Sequence, residues 1–262
     1  MDMQLKNKVV VVTGGTSGIG LATVRQFLVE GSRVAFCARN DANVTAVCNQ
    51  LSHEFSHEHV FGMSASVLDE DAMLQFAAKV KTHWGSASVL INNAGQGRVS
   101  TFINTSNSDW VEELNLKFFS VIYPFRAFQT QLSETKGAVV GVSSLLSVQP
   151  EPHMVCTSAA RAGVQNLLKS MATEFAPSIR VNSILLGVIR SAQWERRFNA
   201  NDNPGLSKEQ WYREQAADRH IPLERFGTPE EVANAIVFLA SPAASYVTGC
   251  SLEVSGGTSR FV

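Results

Sequence analysis

Between residues 8 and 20 the chain reads Lys-Val-Val-Val-Val-Thr-Gly-Gly-Thr-Ser-Gly-Ile-Gly, an apolar run that breaks into spaced glycines and then an apolar-periodic helix. The chemistry this spacing offers is the holding of a pyrophosphate. Gly14 permits a tight turn, Gly18 lets the backbone approach the phosphates, and Gly20 lets the helix lie close on the strand. The free N–H groups of the helix's first turn then face the anion. A second informative stretch is Phe36-Cys-Ala-Arg-Asn40, at the end of the second candidate strand. An Asp or Glu there would bond a ribose 2′-hydroxyl and repel a 2′-phosphate. This chain offers Arg39 instead, whose guanidinium can stack on adenine and hold a phosphate bidentately. The expectation is NADP(H) in preference to NAD(H), the alternative being a solvated surface arginine.

Strand-like and helix-like segments alternate along the whole chain, which predicts an α/β fold with a parallel sheet covered on both faces. The strands are expected at Val9–Val12, Arg33–Cys37, Val60–Ser64, Val89–Asn92, Ala138–Val142, Arg180–Leu185 and Ser251–Val254. One helix should start after Asp69, whose carboxylate can cap it, and another at Thr228-Pro-Glu-Glu231, a capping box with proline in the first turn. No repeat or long linker divides residues 1–262, so one domain is expected. The irregular stretch runs from Ser191 to Gly227 and contains Asn199-Ala-Asn-Asp-Asn-Pro-Gly205, a composition that marks a loop.

The 262 residues are 45% hydrophobic and 17% charged, enough to bury a full core in one domain. A formal net charge of −1 gives no electrostatic reason to expect nucleic acid or an anionic membrane as partner. No apolar run is long enough to span a bilayer, and the first eight residues lack a signal peptide's apolar stretch. Cys37, Cys48, Cys156 and Cys250 are scattered without a C-x-x-C pair, so free thiols in a reducing cytoplasm are expected and no metal site is.

Thr13-Gly14-x-x-x-Gly18-Ile19-Gly20, Asn92-Asn93-Ala94-Gly95, Ser143-Ser144 at a strand end, Arg180-Val-Asn-Ser-Ile-Leu-Leu-Gly187 and Thr248-Gly-Cys-Ser-Leu-Glu-Val-Ser-Gly-Gly257 follow one another in this order. This series resembles the short-chain dehydrogenases/reductases of classical type, over nearly the whole chain. The resemblance implies a Rossmann-type doubly wound sheet of about seven strands, a substrate lid over residues 191–227, and a homo-oligomer (tetramer or dimer) acting on a small molecule. It also implies a cofactor set: Gly14, Thr16, Ser17, Gly18, Ile19 and Gly20 in the first turn; Arg39, Asn40, Ser66 and Val67 at the adenine end; and Asn93, Ala94, Gly95, Arg161, Gly187 and Ile189 further along. Ser66 departs from the family's aspartate, which loses a carboxylate contact to adenine.

The family's serine, which polarises the carbonyl, matches Ser144, and its helix asparagine matches Asn115. Its tyrosine and lysine fall on Thr157 and Arg161, and no Tyr-x-x-x-Lys occurs in the chain. An i, i+4 pair stays on one helix face, so the geometry is kept while the chemistry changes. An aliphatic hydroxyl is a far weaker acid than a phenol of pKa ~10, and it is shorter. A guanidinium grips ribose hydroxyls but does not pass protons as an ammonium does. Three other groups come into view for the proton: His153 on the loop before Thr157, Cys156, read as packing, and Tyr212, read as lid core. Phe118, Phe119, Phe125 and Phe128 form a stripe expected to be buried or to face a subunit. Two readings follow, an NADP(H)-dependent oxidoreductase with an altered proton path and a catalytically silent nucleotide-binding protein of the same fold.

Overall fold

The near-continuous valine run of the first strand is what a strand buried on both faces requires. In the computed structural model, which describes residues 2–200 and 205–261, that strand is β1 (Val9–Thr13). Six more parallel strands flank it: β2 (Arg33–Ala38), β3 (Val60–Ser64), β4 (Val89–Asn92), β5 (Ala138–Ser144), β6 (Arg180–Leu186) and β7 (Ser251–Val254). Their spatial order is β3-β2-β1-β4-β5-β6-β7. The order reverses between β1 and β4, and the crevice beyond their carboxyl ends is where such sheets take ligands.

Helices cover both faces. On one side α3 (Glu70–Trp84), α4 (Asn107–Glu134) and α5 (Val155–Glu174) pack, burying Phe76, Phe128 and Leu168 against Val9 and Val11. On the other side α1 (Gly18–Val29), α2 (Asp41–Glu54) and α8 (Pro229–Ala240) pack, burying Phe27, Leu51 and Ile236 against Val10 and Val12. Alternate side chains of one strand therefore serve opposite cores. Asp69 caps α3, accepting from the Ala72 N–H at 2.9 Å, and Thr228 and Glu231 form the reciprocal capping box of α8.

Residues 191–227 are more regular than their composition suggests. They hold α6 (Ala192–Asn199) and α7 (Lys208–Asp218). Trp211, Tyr212, Ala216, Ile221 and Phe226 make a small core of their own there, with Trp194 and Phe198 packed on it. The apolar pairs Trp194/Phe198 and Tyr212/Ala216, each four residues apart, carried a helical period that the Asn/Pro/Gly content masked. The centre of the expected loop, residues 201–204, lies outside the described residues. Among the described residues no helix is long and apolar enough to cross a membrane.

Candidate active site and cofactor cleft

The turn after β1 is fastened to β4 by a compact set of bonds. The Thr13 hydroxyl accepts from the N–H groups of Asn93 (3.0 Å) and Ala94 (3.1 Å). The Asn93 amide donates to the carbonyls of Thr13 (3.0 Å) and Gly14 (3.2 Å). At Gly20 a Cβ would lie 2.1 Å from the Gly14 oxygen, so only glycine allows α1 this approach, whereas Gly18, at φ +52°, faces open space. A cleft of about 830 Å³ opens here. Gly14, Thr16, Ser17, Ile19 and Gly20 line one wall; Arg39, Asn40, Ser66 and Val67 line the adenine end; Asn93, Ala94, Gly95 and Arg161 lie along its length. Unpartnered buried polar atoms, Nε of Arg161 and both side-chain polar atoms of Asn92, sit among its lining residues. Shape and donors both fit a dinucleotide.

Some expected cofactor residues do other work. The Asn40 side chain caps α2 by accepting from the Asn43 N–H at 2.9 Å. The Ser66 hydroxyl accepts from the Leu68 N–H at 3.2 Å. Gly187 and Ile189 are not among the residues that line the cleft. A Cβ on Gly187 would come within 2.7 Å of the Ser255 Cα, and Ile189 is packed in the core beside α8. Arg39 is exposed at the cleft's end and joins no ion pair among the described residues.

In the catalytic half a lysine joins the residues expected from the sequence. Asn115 borders the cleft but is exposed. The buried face of the same helix carries Glu113, Lys117 and Ser120. Residues two apart on a helix point about 200° apart, so Asn115 borders the cleft from the exposed side of α4 and Lys117 from its buried side. The packing of α4 against α5 turns Lys117 in. Its ammonium lies 3.0 Å from Glu113 Oε1 and donates to the Gln96 carbonyl. Burial, reinforced by the nearby Arg161 charge, pushes the Lys117 pKa below the usual lysine value, with Glu113 opposing. Burial likewise lowers the Arg161 pKa, again with Glu113 opposing. Sequence reasoning missed Lys117, although Glu113, Lys117 and Val121 show an i, i+4, i+8 inward stripe.

Thr157 is 1% exposed and its hydroxyl is fully engaged. It donates to Glu113 Oε1 at 2.6 Å and accepts from the Arg98 N–H at 2.9 Å. Ser144 sits at the end of β5, where its hydroxyl donates to the Leu186 carbonyl at 3.4 Å and accepts from the Leu146 N–H at 3.3 Å. His153 is exposed, and its carbonyl accepts from the Ser100 N–H. Cys156 is fully buried, its pKa raised first by burial and then by Glu113, as packing requires. Tyr212 donates to Glu195 at 3.1 Å, and burial first, then that bond, push its phenol up to about 12. Of the phenylalanine stripe, Phe125 and Phe128 are core residues and Phe118 packs against the core's edge.

A family model described as enoyl-(acyl carrier protein) reductase matches residues 14–259. The chain is 33% identical over 258 residues to a 3alpha-hydroxysteroid dehydrogenase of Mediterraneibacter gnavus, covering 98% of both. It superposes with a TM-score of 0.93 on an NADPH-bound short-chain oxidoreductase of Pseudomonas aeruginosa described as containing an atypical catalytic center. That protein is 51% identical, with 98% of this chain and 100% of the other covered. An L-sorbose reductase of Gluconobacter frateurii, complexed with NADPH and L-sorbose, gives a TM-score of 0.93 at 30% identity over the full length of both chains. The glycine turn, the reversal between β1 and β4 and these matches agree: the cleft is a nicotinamide-dinucleotide site, and the chain belongs to the classical short-chain dehydrogenase/reductase family of oxidoreductases.

Proposed function

We propose that this protein is an NADP(H)-dependent oxidoreductase acting on a small carbonyl, alcohol or imine-type substrate, with Lys117 rather than Thr157 carrying the proton. The observation behind it is the convergence of Lys117 and Arg161 on the cleft. An ammonium has three N–H donors, and Glu113 and Gln96 engage two of them. The third is left for a substrate oxygen. A lowered pKa suits a group that must give up a proton in each turnover. Arg161 keeps a fixed positive charge beside the oxygen as negative charge develops there, and Ser144 is assigned the polarising hydroxyl. When bound, the nicotinamide supplies or accepts the hydride. Arg39, without a neighbouring carboxylate, supports NADPH over NADH. The same reading takes the protein as a cytoplasmic homo-oligomer, dimer or tetramer.

The engagement of Thr157 on Glu113 and Arg98 favours the second reading, a nucleotide-binding protein that performs no reaction. One experiment separates the two: a panel of ketones, iminium salts and conjugated carbonyls with NADPH, run on the protein and on Lys117→Met and Ser144→Ala. The oxidoreductase reading expects turnover that falls about 100-fold or more in Lys117→Met and clearly in Ser144→Ala, with NADPH affinity within about 3-fold. NADPH binding without hydride transfer across the panel establishes the silent protein instead.

A further inference from the structure

Glu113 is a carboxylate only 2% exposed, placed where two cations converge. A buried charge is tolerated when it is paired and hydrogen-bonded, and here a single oxygen, Oε1, meets both the Thr157 hydroxyl at 2.6 Å and the Lys117 ammonium at 3.0 Å. The Thr157 oxygen lies 3.3 Å from the Arg98 carbonyl. Its one proton goes to the closer, charged acceptor. Arg98 is itself fixed to the start of α4, its guanidinium pairing with Asp109 and, at 2.7 Å, with Glu112. Helix α5, the segment after β4 and helix α4 thus meet at one threonine hydroxyl.

We propose that Glu113 is a positioning residue of the reaction centre: it turns the Thr157 hydroxyl onto the Arg98 main chain and aims the Lys117 ammonium into the cleft. The proposal rests on the proton-carrying role given to Lys117 above. Thr157 then serves as a rivet between α5 and the segment after β4 rather than as an acid. Glu113 also balances charge. The groups acting on Lys117 are Glu113 on its own helix, Arg161 and the protonated Cys156 from α5, and the Gln96 carbonyl from the segment after β4. Glu113 is the anion of that set and opposes both burial and Arg161. Removing its charge while keeping its shape releases Lys117's proton at lower pH.

The test is a titration of the protein labelled at lysine Cε with ¹³C, following the Lys117 signal in the original protein, Glu113→Gln and Glu113→Asp. The expected result is a midpoint about one pH unit lower in Glu113→Gln, largely restored in Glu113→Asp. The high-pH limb of kcat should move in step while KM for NADPH stays within about 2-fold. A midpoint within about 0.3 unit of the original in Glu113→Gln overturns the proposal. Because the titration needs no substrate, a shifted midpoint with no hydride transfer upholds the placement by Glu113 and overturns the oxidoreductase reading instead. Thr157→Val supplies a second test that leaves Glu113 intact. Hydrogen exchange at the Arg98 amide should quicken about tenfold in it, and unchanged exchange there overturns the rivet.

Discussion

On the proposed reading Lys117 and Arg161 stand in for the family's phenol–ammonium pair, and the exchange alters which group changes protonation. A guanidinium stays charged throughout the working range, so the titration of the site falls to Lys117. Its folded pKa lies below the ordinary lysine value of ~10.4 because burial disfavours the charged form. On that reading protonated Lys117 is the acid in reduction. The rate is therefore full below the folded pKa and is lost as pH rises through it. The expected pH profile of kcat for reduction has its high-pH limb below the ordinary lysine range, and a profile without such a limb contradicts the assignment. At the other end of the cleft, exposed Arg39 sets the second expectation. Calorimetric titration should show tighter binding of NADPH than NADH, with Arg39→Asp shrinking or reversing the margin. Equal affinities in the unmodified protein refute it.

At the scale of elements, the pair α6–α7 behaves as a unit with its own core. Trp194 packs edge-on against Trp211 and Phe226 at centroid distances of 6.2 and 4.8 Å, and the Tyr212 hydroxyl bonds back to Glu195 on α6. The unit is tied to the sheet domain at its base by main-chain bonds, Arg190 N–H to the Gly227 carbonyl at 2.9 Å and Gly227 N–H to the Val188 carbonyl at 3.1 Å. If the unit serves as the proposed lid, it opens and closes over the ligand as a small cluster with its own core. Hydrogen exchange across residues 191–227 should slow when NADPH and a turned-over substrate are added. Trp211→Ala should speed exchange in α6 and α7 while leaving β1–β6 protected. If exchange rises uniformly across the chain, the segment has no independence and the lid role fails.

At the scale of the molecule, stability is divided between two cores separated by the sheet. Phe128 belongs to one and Phe27 to the other, both fully buried. Truncating a buried phenylalanine to leucine leaves a modest void on one face only, costing about 1 kcal/mol each. Sites without shared partners add to within ~0.5 kcal/mol. Urea unfolding of Phe27→Leu, Phe128→Leu and the double variant should show this additivity in a single transition. A double variant markedly less stable than the sum means that the sheet transmits strain between its faces.

The seven strands were legible in the sequence to within two residues at each end, the inner ones because strands buried on both faces must be largely apolar runs whatever surrounds them. The glycine turn was legible for a similar reason: only glycine tolerates a Cβ position 2.1 Å from a carbonyl oxygen, so the spacing itself records the contact. Caps such as Asp69 and Thr228 are local, and local rules found them. Helices α6 and α7 were obscured because their apolar period is short and interrupted. Facing was the property that local rules did not carry. Asn115 matched a motif by its place in the chain and borders the cleft, while a two-residue step around α4 puts Lys117 on the buried side of the same helix. That Lys117 reaches the cleft as well depends on how α4 lies against α5 and the sheet. The hydroxyl of Thr157 is likewise committed by partners 44 and 59 residues away, Glu113 and Arg98. The sequence by itself determined the sheet, the dinucleotide turn and the loss of the phenol, since each follows from residue type and near neighbours. The tertiary structure decided which side chains replaced the phenol's surroundings, since burial and charge pairing exist only once distant segments are packed together.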